Sequence, residues 1–292
     1  MRMRDMGLAV LTSVIWGFAY VTYKFGLESF SPAQLTALRF LFACLPVLFV
    51  PRPKLAWWMI ALIGLVLFAG QFLLLMMAYA LDMPAGLGSV TQQTQAVFTV
   101  ALAAIFMREL PKLRDGIGMV VAFAGLALIG FTVGGDLKPA ALAFAIAAAT
   151  CWAIGNLLVK RTGGVAAFPL MVWASLVVPW PMLAVSWAVD PQPSLVQAVT
   201  HASWLSLAVA FYLGVPSTLL GYGLWSYLLQ RYPAARVAPF ALLSPATGII
   251  ASALLLGETF ALLRLAGMAL ILAGLAVIVW PSRPVMPSVP SA

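Results

Sequence analysis

Thr91, Gln92, Gln93, Thr94 and Gln95 are five consecutive polar residues inside a long apolar run, the strongest chemical signal in the chain. Carrying an amide into hydrocarbon without a partner costs roughly 2–7 kcal/mol on transfer scales, so the block faces a hydrated cavity or another helix. Gln92 and Gln95, three residues apart, share one helical face. They suit hydrogen bonding to a solute, with bonding between helices as the plainer alternative.

Two further pairs stand at four-residue spacing, Trp16 with Tyr20 and Trp152 with Asn156. Aromatic faces offer stacking and apolar contact, while hydroxyl and amide groups fix orientation. Helix packing is the other use for such residues. Gln71, Tyr79, Tyr222 and Trp225 are additional cavity candidates on the same grounds. Arg39 is the one charge well inside an apolar run. A charge at that depth faces protein or a cavity; it can attract a solute carboxylate, or pair with Glu28 or helix-end carbonyls. Lys24 and Lys160 end their runs, where long side chains reach water. Pro216, Pro239 and Pro245 interrupt later runs and free backbone carbonyls there.

Some chemistry is missing. All eight acids fall at the ends of apolar runs, and His201 lies in a polar segment, so no nucleophile–base pair or metal-ligand cluster is formed. Cys44 and Cys151 sit within apolar runs and suit packing. These features argue against an enzyme and imply no cofactor and no metal. A channel would call for charged rings or a selectivity loop, neither of which is visible.

The elements that position these residues follow from composition. Residues are 64% hydrophobic and 8% charged, against about 45–50% and about 25% in soluble domains. Such a chain takes a lipid bilayer as its partner, and its continuous apolar runs make the spanning elements helices. The net charge of +8 is scattered in ones and twos, so no nucleic-acid face forms. Spans are expected near 5–25, 32–50, 56–81, 84–107, 115–132, 139–159, 166–188, 203–229, 233–256 and 263–280. The first follows Met1-Arg2-Met3-Arg4 and contains Trp16 and Tyr20, which marks it as a span and not a cleaved leader. Trp57, Trp58, Trp187, Trp204 and Trp280 fall near span ends, the usual place for interfacial anchors. Asp82-Met83-Pro84 and Arg231-Tyr232-Pro233 make tight hairpins, with Pro at the start of the next helix. With a cytoplasmic N-terminus, 12 of the 16 Lys and Arg fall on the cytoplasmic side, so both termini are expected there.

The halves repeat. Trp16 and Lys24 match Trp152 and Lys160 at an offset of 136 residues; Pro84, Glu109, Gly118 and Gly125 match Pro233, Glu258, Gly267 and Gly274 at 149. A unit of five spans is odd, so its second copy lies upside down relative to the first, an arrangement recurrent in secondary transporters. The expected fold is therefore an all-α polytopic membrane protein of ten transmembrane helices in two inverted five-helix repeats, 1–135 and 136–283, with a disordered tail at 284–292.

Trp16-Gly17 with Lys24, Leu38-Arg39-Phe40, Arg108-Glu109, Gly257-Glu258 and the glycine-rich fifth and tenth spans together resemble the drug/metabolite transporter superfamily, in its EamA-type branch, over nearly the whole chain. The second copy keeps the Gly-Glu pair, whereas the first has Arg108 where that family has Gly. Within the superfamily the chain is similar to aromatic amino acid exporters of bacterial inner membranes. The resemblance implies export of an aromatic or other neutral amino acid, by alternating access around a central cavity. Nucleobases, other metabolites or drugs are the alternative cargo. A monomer is expected to suffice. With no acid or imidazole to relay protons at mid-span, the expected transport is facilitation down the substrate gradient.

Overall fold

The computed structural model describes residues 1–108, 112–134, 137–190, 193–232 and 234–279, the side chains of 234, 235, 238 and 239 excepted. Glu109, Asp136, Pro233, Trp280, Arg283, the Pro239 side chain and the expected tail 284–292 lie outside this description.

In chain order the helices are α1 (Met3–Gly26), α2 (Pro32–Cys44), α3 (Trp57–Ala80), α4 (Ala85–Met107), α5 (Leu113–Gly130), α6 (Pro139–Arg161), α7 (Ala167–Val189), the short α8 (Leu195–His201), α9 (Trp204–Arg231), α10 (Ala234–Ala241), α11 (Leu243–Leu256) and α12 (Leu262–Val279). Eight of them, α1, α3 to α7, α9 and α12, are long and apolar enough to cross a bilayer. The expected second and ninth spans form shorter apolar helices, Pro32–Leu48 and Leu243–Leu256. Proline accounts for both. Pro46 cannot donate to Phe42, so α2 tightens into a 3₁₀ turn over Leu45–Leu48. Pro245 likewise leaves the Ala241 carbonyl without its i+4 donor, and α10 ends at that residue.

Local irregularities recur at the offset seen in the sequence. A π-helical stretch occupies Gly64–Gly70 in α3 and Leu213–Leu220 in α9. Breaks fall at Gln93 within α4 and at Leu242 between α10 and α11. α4 and α11 both end in a left-handed residue, Arg108 at φ 55° and Gly257 at φ 65°. The π stretches begin 149 residues apart, and the breaks and the left-handed ends are separated by the same 149 residues, so the duplication extends to backbone defects. Arg108 keeps the left-handed turn that its side chain disfavours.

Glycines set the closest helix contacts. α5 lies along α12, and a Cβ on Gly118 would come 2.6 Å from the Gly274 carbonyl oxygen, while one on Gly267 would come 2.8 Å from that of Gly125. Small residues let two backbones approach in a setting where lipid gives no hydrophobic drive. α1 packs on α11, α6 on α3 and α4, and α2 on α7 and on the π stretch of α9. Glu258, beyond α11, caps α4, accepting from the N–H groups of Ala85 at 2.6 Å and Gly86 at 3.0 Å. Pro84 therefore sits just ahead of the helix, with the acid satisfying the first two free donors. Trp57, Trp58, Trp187 and Trp204 lie exposed at helix ends.

Candidate functional site

A cavity of about 310 Å³ lies where α1, α2, α3, α4, α6 and α9 converge near the break between α10 and α11. Ten of the eleven residues expected from sequence line it: Trp16, Tyr20, Arg39, Gln71, Gln92, Gln95, Trp152, Asn156, Tyr222 and Trp225. Tyr79 does not. It packs behind Tyr23, ring centroids 5.4 Å apart, with its hydroxyl against Gly88, where a missing Cβ leaves room. Gln93, from the polar block of α4, also lines the cavity; lining residues not foreseen are Ala19, Tyr23, Phe72, Leu75, Ser217, Ala241 and Ser244. Tyr23 was findable, since 16, 20 and 23 fall on one helical stripe.

One corner is aromatic. The Trp16 ring sits 5.4 Å from Tyr222 and 5.3 Å from Trp225, both tilted, geometries that favour aromatic pairs. Trp16 Nε1 donates to the Ser217 carbonyl at 2.9 Å. That carbonyl lies within the π stretch around Pro216, so the irregular backbone of α9 orients the indole.

A second corner carries amides. Asn156 Nδ2 donates to Gln95 Oε1 at 3.2 Å and to Thr99 Oγ1 at 3.3 Å, joining α6 to α4. Gln71 Nε2 and both amide atoms of Gln92 have no protein partner, though each side chain is about 1% exposed. Leaving a buried polar atom unpaired costs about 1–3 kcal/mol, and both side chains belong to the cavity lining.

Arg39 stands between the two. Its Nε donates to Thr218 Oγ1 at 3.0 Å and its Nη1 to the Tyr23 hydroxyl at 2.9 Å, and the guanidinium lies 3.8 Å from the Phe72 ring centroid. Thr218 in turn donates to the Leu213 carbonyl at 2.7 Å, again within the π stretch. Among the described residues no carboxylate reaches ion-pair distance of Arg39, so pairing with Glu28, one of the alternatives open from sequence, is not formed. Neutral acceptors and aromatic faces hold the cation, and its charge is left for the cavity.

The two ends of the cavity differ. Toward Lys24, the residues Tyr23, Leu75, Tyr79 and Met83 are all buried. Toward Lys160 and Arg231, the residues Gln95, Trp152, Asn156 and Trp225 are half-buried. Among the described residues no Asp, Glu, His or Lys lines the wall. Among the described residues no three His, Cys, Asp or Glu side chains gather as a metal site would need.

Apolar helices of spanning length around a polar, partly aromatic chamber define a multi-pass membrane protein with an internal cavity. The chain belongs to the EamA-like transporter family, whose profile matches twice, over residues 4–131 and 139–280; it is thus a membrane transporter of the drug/metabolite superfamily. It is 37% identical over 290 residues to a Salmonella typhimurium protein named "Probable amino-acid metabolite efflux pump", covering 97% of each chain. An Escherichia coli K12 protein of the same name is 34% identical over 291 residues, again with 97% of each covered. One solved crystal structure superposes with a TM-score of 0.62 at 16% identity, over 95% of this chain and 98% of that one, which shows a shared fold.

Proposed function

We propose that this transporter exports aromatic or other neutral amino acids from the bacterial cytoplasm across the inner membrane, by alternating access around the Trp16–Arg39–Gln92 cavity. The observation that carries the cargo is the junction of an aromatic corner, Trp16 with Tyr222 and Trp225, to unpartnered amides on Gln71 and Gln92. An aromatic side chain suits the first and hydrogen-bonding groups suit the second. The efflux direction and the amino-acid class draw on the names of the two relatives.

In this reading all ten apolar segments cross, as two inverted five-helix repeats divided near residue 135. The 149-residue recurrence of π stretches, helix breaks and left-handed ends supports it, because an odd repeat must invert. The excess of Lys and Arg supports a cytoplasmic position for both termini, and in this reading the half-buried end of the cavity faces inward. A monomer encloses the cavity by itself.

A competition panel in proteoliposomes tests the cargo. Phenylalanine, tyrosine and tryptophan should inhibit uptake of labelled phenylalanine, with nucleobases and cationic dyes much weaker. Equal competition by all three classes would discard the amino-acid assignment.

A further inference from the structure

The cavity's charge balance bears on which amino-acid-like solutes it takes and on what drives them out. Among the described residues Arg39 is the one charged side chain on the wall, and every contact it makes is to a neutral group. For a solute carboxylate the site offers a guanidinium, whose charge-assisted hydrogen bonds are about twice as strong as neutral ones. For a solute ammonium it offers little. The Gln92 Oε1 atom is unpartnered, but Gln95 Oε1 already accepts from Asn156, and among the described residues no acid lines the wall. Desolvating an ammonium without a counter-charge is expensive. With a monoanion bound the cavity is neutral; with a zwitterion it keeps a net positive charge, and with a cation it gains a second.

We infer that the preferred solute of this cavity is an aromatic carboxylate monoanion, an amino acid whose ammonium has been removed or capped, such as an aryl 2-oxo acid or an N-acyl aromatic amino acid, and that its export is driven by the membrane potential. This rests on the reading of the cavity as the transport site. The driving force follows from the same charge count. Whichever step moves the charge, one full cycle carries the net charge of the solute, so an inside-negative potential pushes a monoanion outward and leaves a zwitterion unaffected. No proton carrier is then required, which fits a wall on which no described residue is Asp, Glu or His. One charge moved through about 100 mV corresponds to an accumulation ratio of about fifty-fold.

The test uses the full chain in phosphatidylcholine proteoliposomes at pH 7, loaded with N-acetylphenylalanine, phenylalanine or phenethylamine, with potassium and valinomycin setting the potential. N-acetylphenylalanine should leave fastest and respond to an inside-negative potential; phenylalanine should leave more slowly without responding; phenethylamine should stay at the level of protein-free vesicles. Transport of phenylalanine at the same rate as its acetylated form, or of phenethylamine at a comparable rate, would overturn the inference while leaving the cavity as a transport site. A potential-insensitive efflux of N-acetylphenylalanine would also overturn it. Failure of all three solutes to exceed protein-free vesicles would remove the transport-site reading along with it. Arg39→Gln, checked for a monodisperse elution profile, should weaken quenching of tryptophan fluorescence by N-acetylphenylalanine at least tenfold more than quenching by the neutral N-acetylphenylalanine amide. Equal weakening of both would count against a carboxylate contact at Arg39.

Discussion

The Glu258 carboxylate, 173 residues away from Ala85 in the chain, receives the Ala85 backbone N–H at 2.6 Å. It also takes that of Gly86, so an acid from the second half of the chain caps a helix of the first. Hydrogen bonds to a charged acceptor are worth about 1.5–3 kcal/mol each, and the positive end of the helix adds to the attraction. Glu258→Ala should therefore lower the detergent-solubilised protein's stability by roughly 2 kcal/mol or more. Glu258→Gln keeps an acceptor and should lose less. Thermal unfolding followed by circular dichroism ranks the two, and an unchanged Glu258→Ala midpoint would deny the cap any weight.

Close backbone approach between α5 and α12 makes a second expectation with an internal control. A Cβ at Gly118 would lie 2.6 Å from the Gly274 carbonyl oxygen, a backbone atom that cannot swing aside, whereas nothing lies within 4 Å of a Cβ at Gly116. Gly118→Ala should cost about 1–3 kcal/mol by overpacking. Gly116→Ala, two residues earlier, should be neutral or slightly stabilising through helix propensity. The same unfolding assay separates them.

How far the sequence carried is clearest at particular residues. Gln92, Gln95 and Asn156 were legible because an amide in an apolar run is costly and must face something polar. Tyr79 was not, because an aromatic residue in a helix reads the same against solute or protein; the space at Gly88 decides, and only packing reveals it. The partners of Arg39 were equally hidden, since Thr218 is 179 residues distant in the chain and is brought near by the π stretch. The ten apolar runs were readable from hydropathy, but the length of α2 and the break before α11 follow from where Pro46 and Pro245 interrupt hydrogen bonding.

Arg108 ends α4 at φ 55°, a conformation that costs a residue with a side chain roughly 1–2 kcal/mol. Gly257 ends α11 in the same conformation without that penalty. Arg108→Gly should consequently raise the unfolding midpoint by an amount equivalent to about 1 kcal/mol. A fall would show that the Arg108 side chain makes contacts worth more than the strain.

Asp82 and Lys138 form an exposed ion pair at 2.8 Å. The ammonium holds the Asp82 carboxyl below its ordinary range through their hydrogen bond. Because the folded value is depressed, this stabilisation is present above the unfolded carboxyl's ordinary value of about 4 and is lost as the pH falls through the folded value. Exposure keeps it small. Asp82→Asn, which tolerates the positive φ of this turn, should cost no more than about 1 kcal/mol at neutral pH. The difference from the wild type should shrink in molar salt and vanish at strongly acidic pH. A difference that survives both treatments would mean the carboxylate acts through something other than Lys138.

Trp16 gives the most direct check on the cavity, because its two kinds of contact can be removed separately. Trp16→Phe deletes the indole N–H that binds the Ser217 carbonyl at 2.9 Å but keeps a ring facing Tyr222 and Trp225. Trp16→Ala deletes both, and aromatic pairs alone are worth about 0.5–1.5 kcal/mol each beyond their area. Gly221→Ala removes nothing, yet its Cβ would sit 2.5 Å from Trp16 Nε1 and push the indole out of place. Initial rates of phenylalanine transport should therefore fall a few-fold in Trp16→Phe and at least about tenfold in Trp16→Ala, since tenfold corresponds to about 1.4 kcal/mol. Gly221→Ala should lie between them. All three proteins should insert and elute normally. Wild-type rates in Gly221→Ala together with a slow Trp16→Ala would mean that the position of the indole is unimportant and that only the aromatic surface counts.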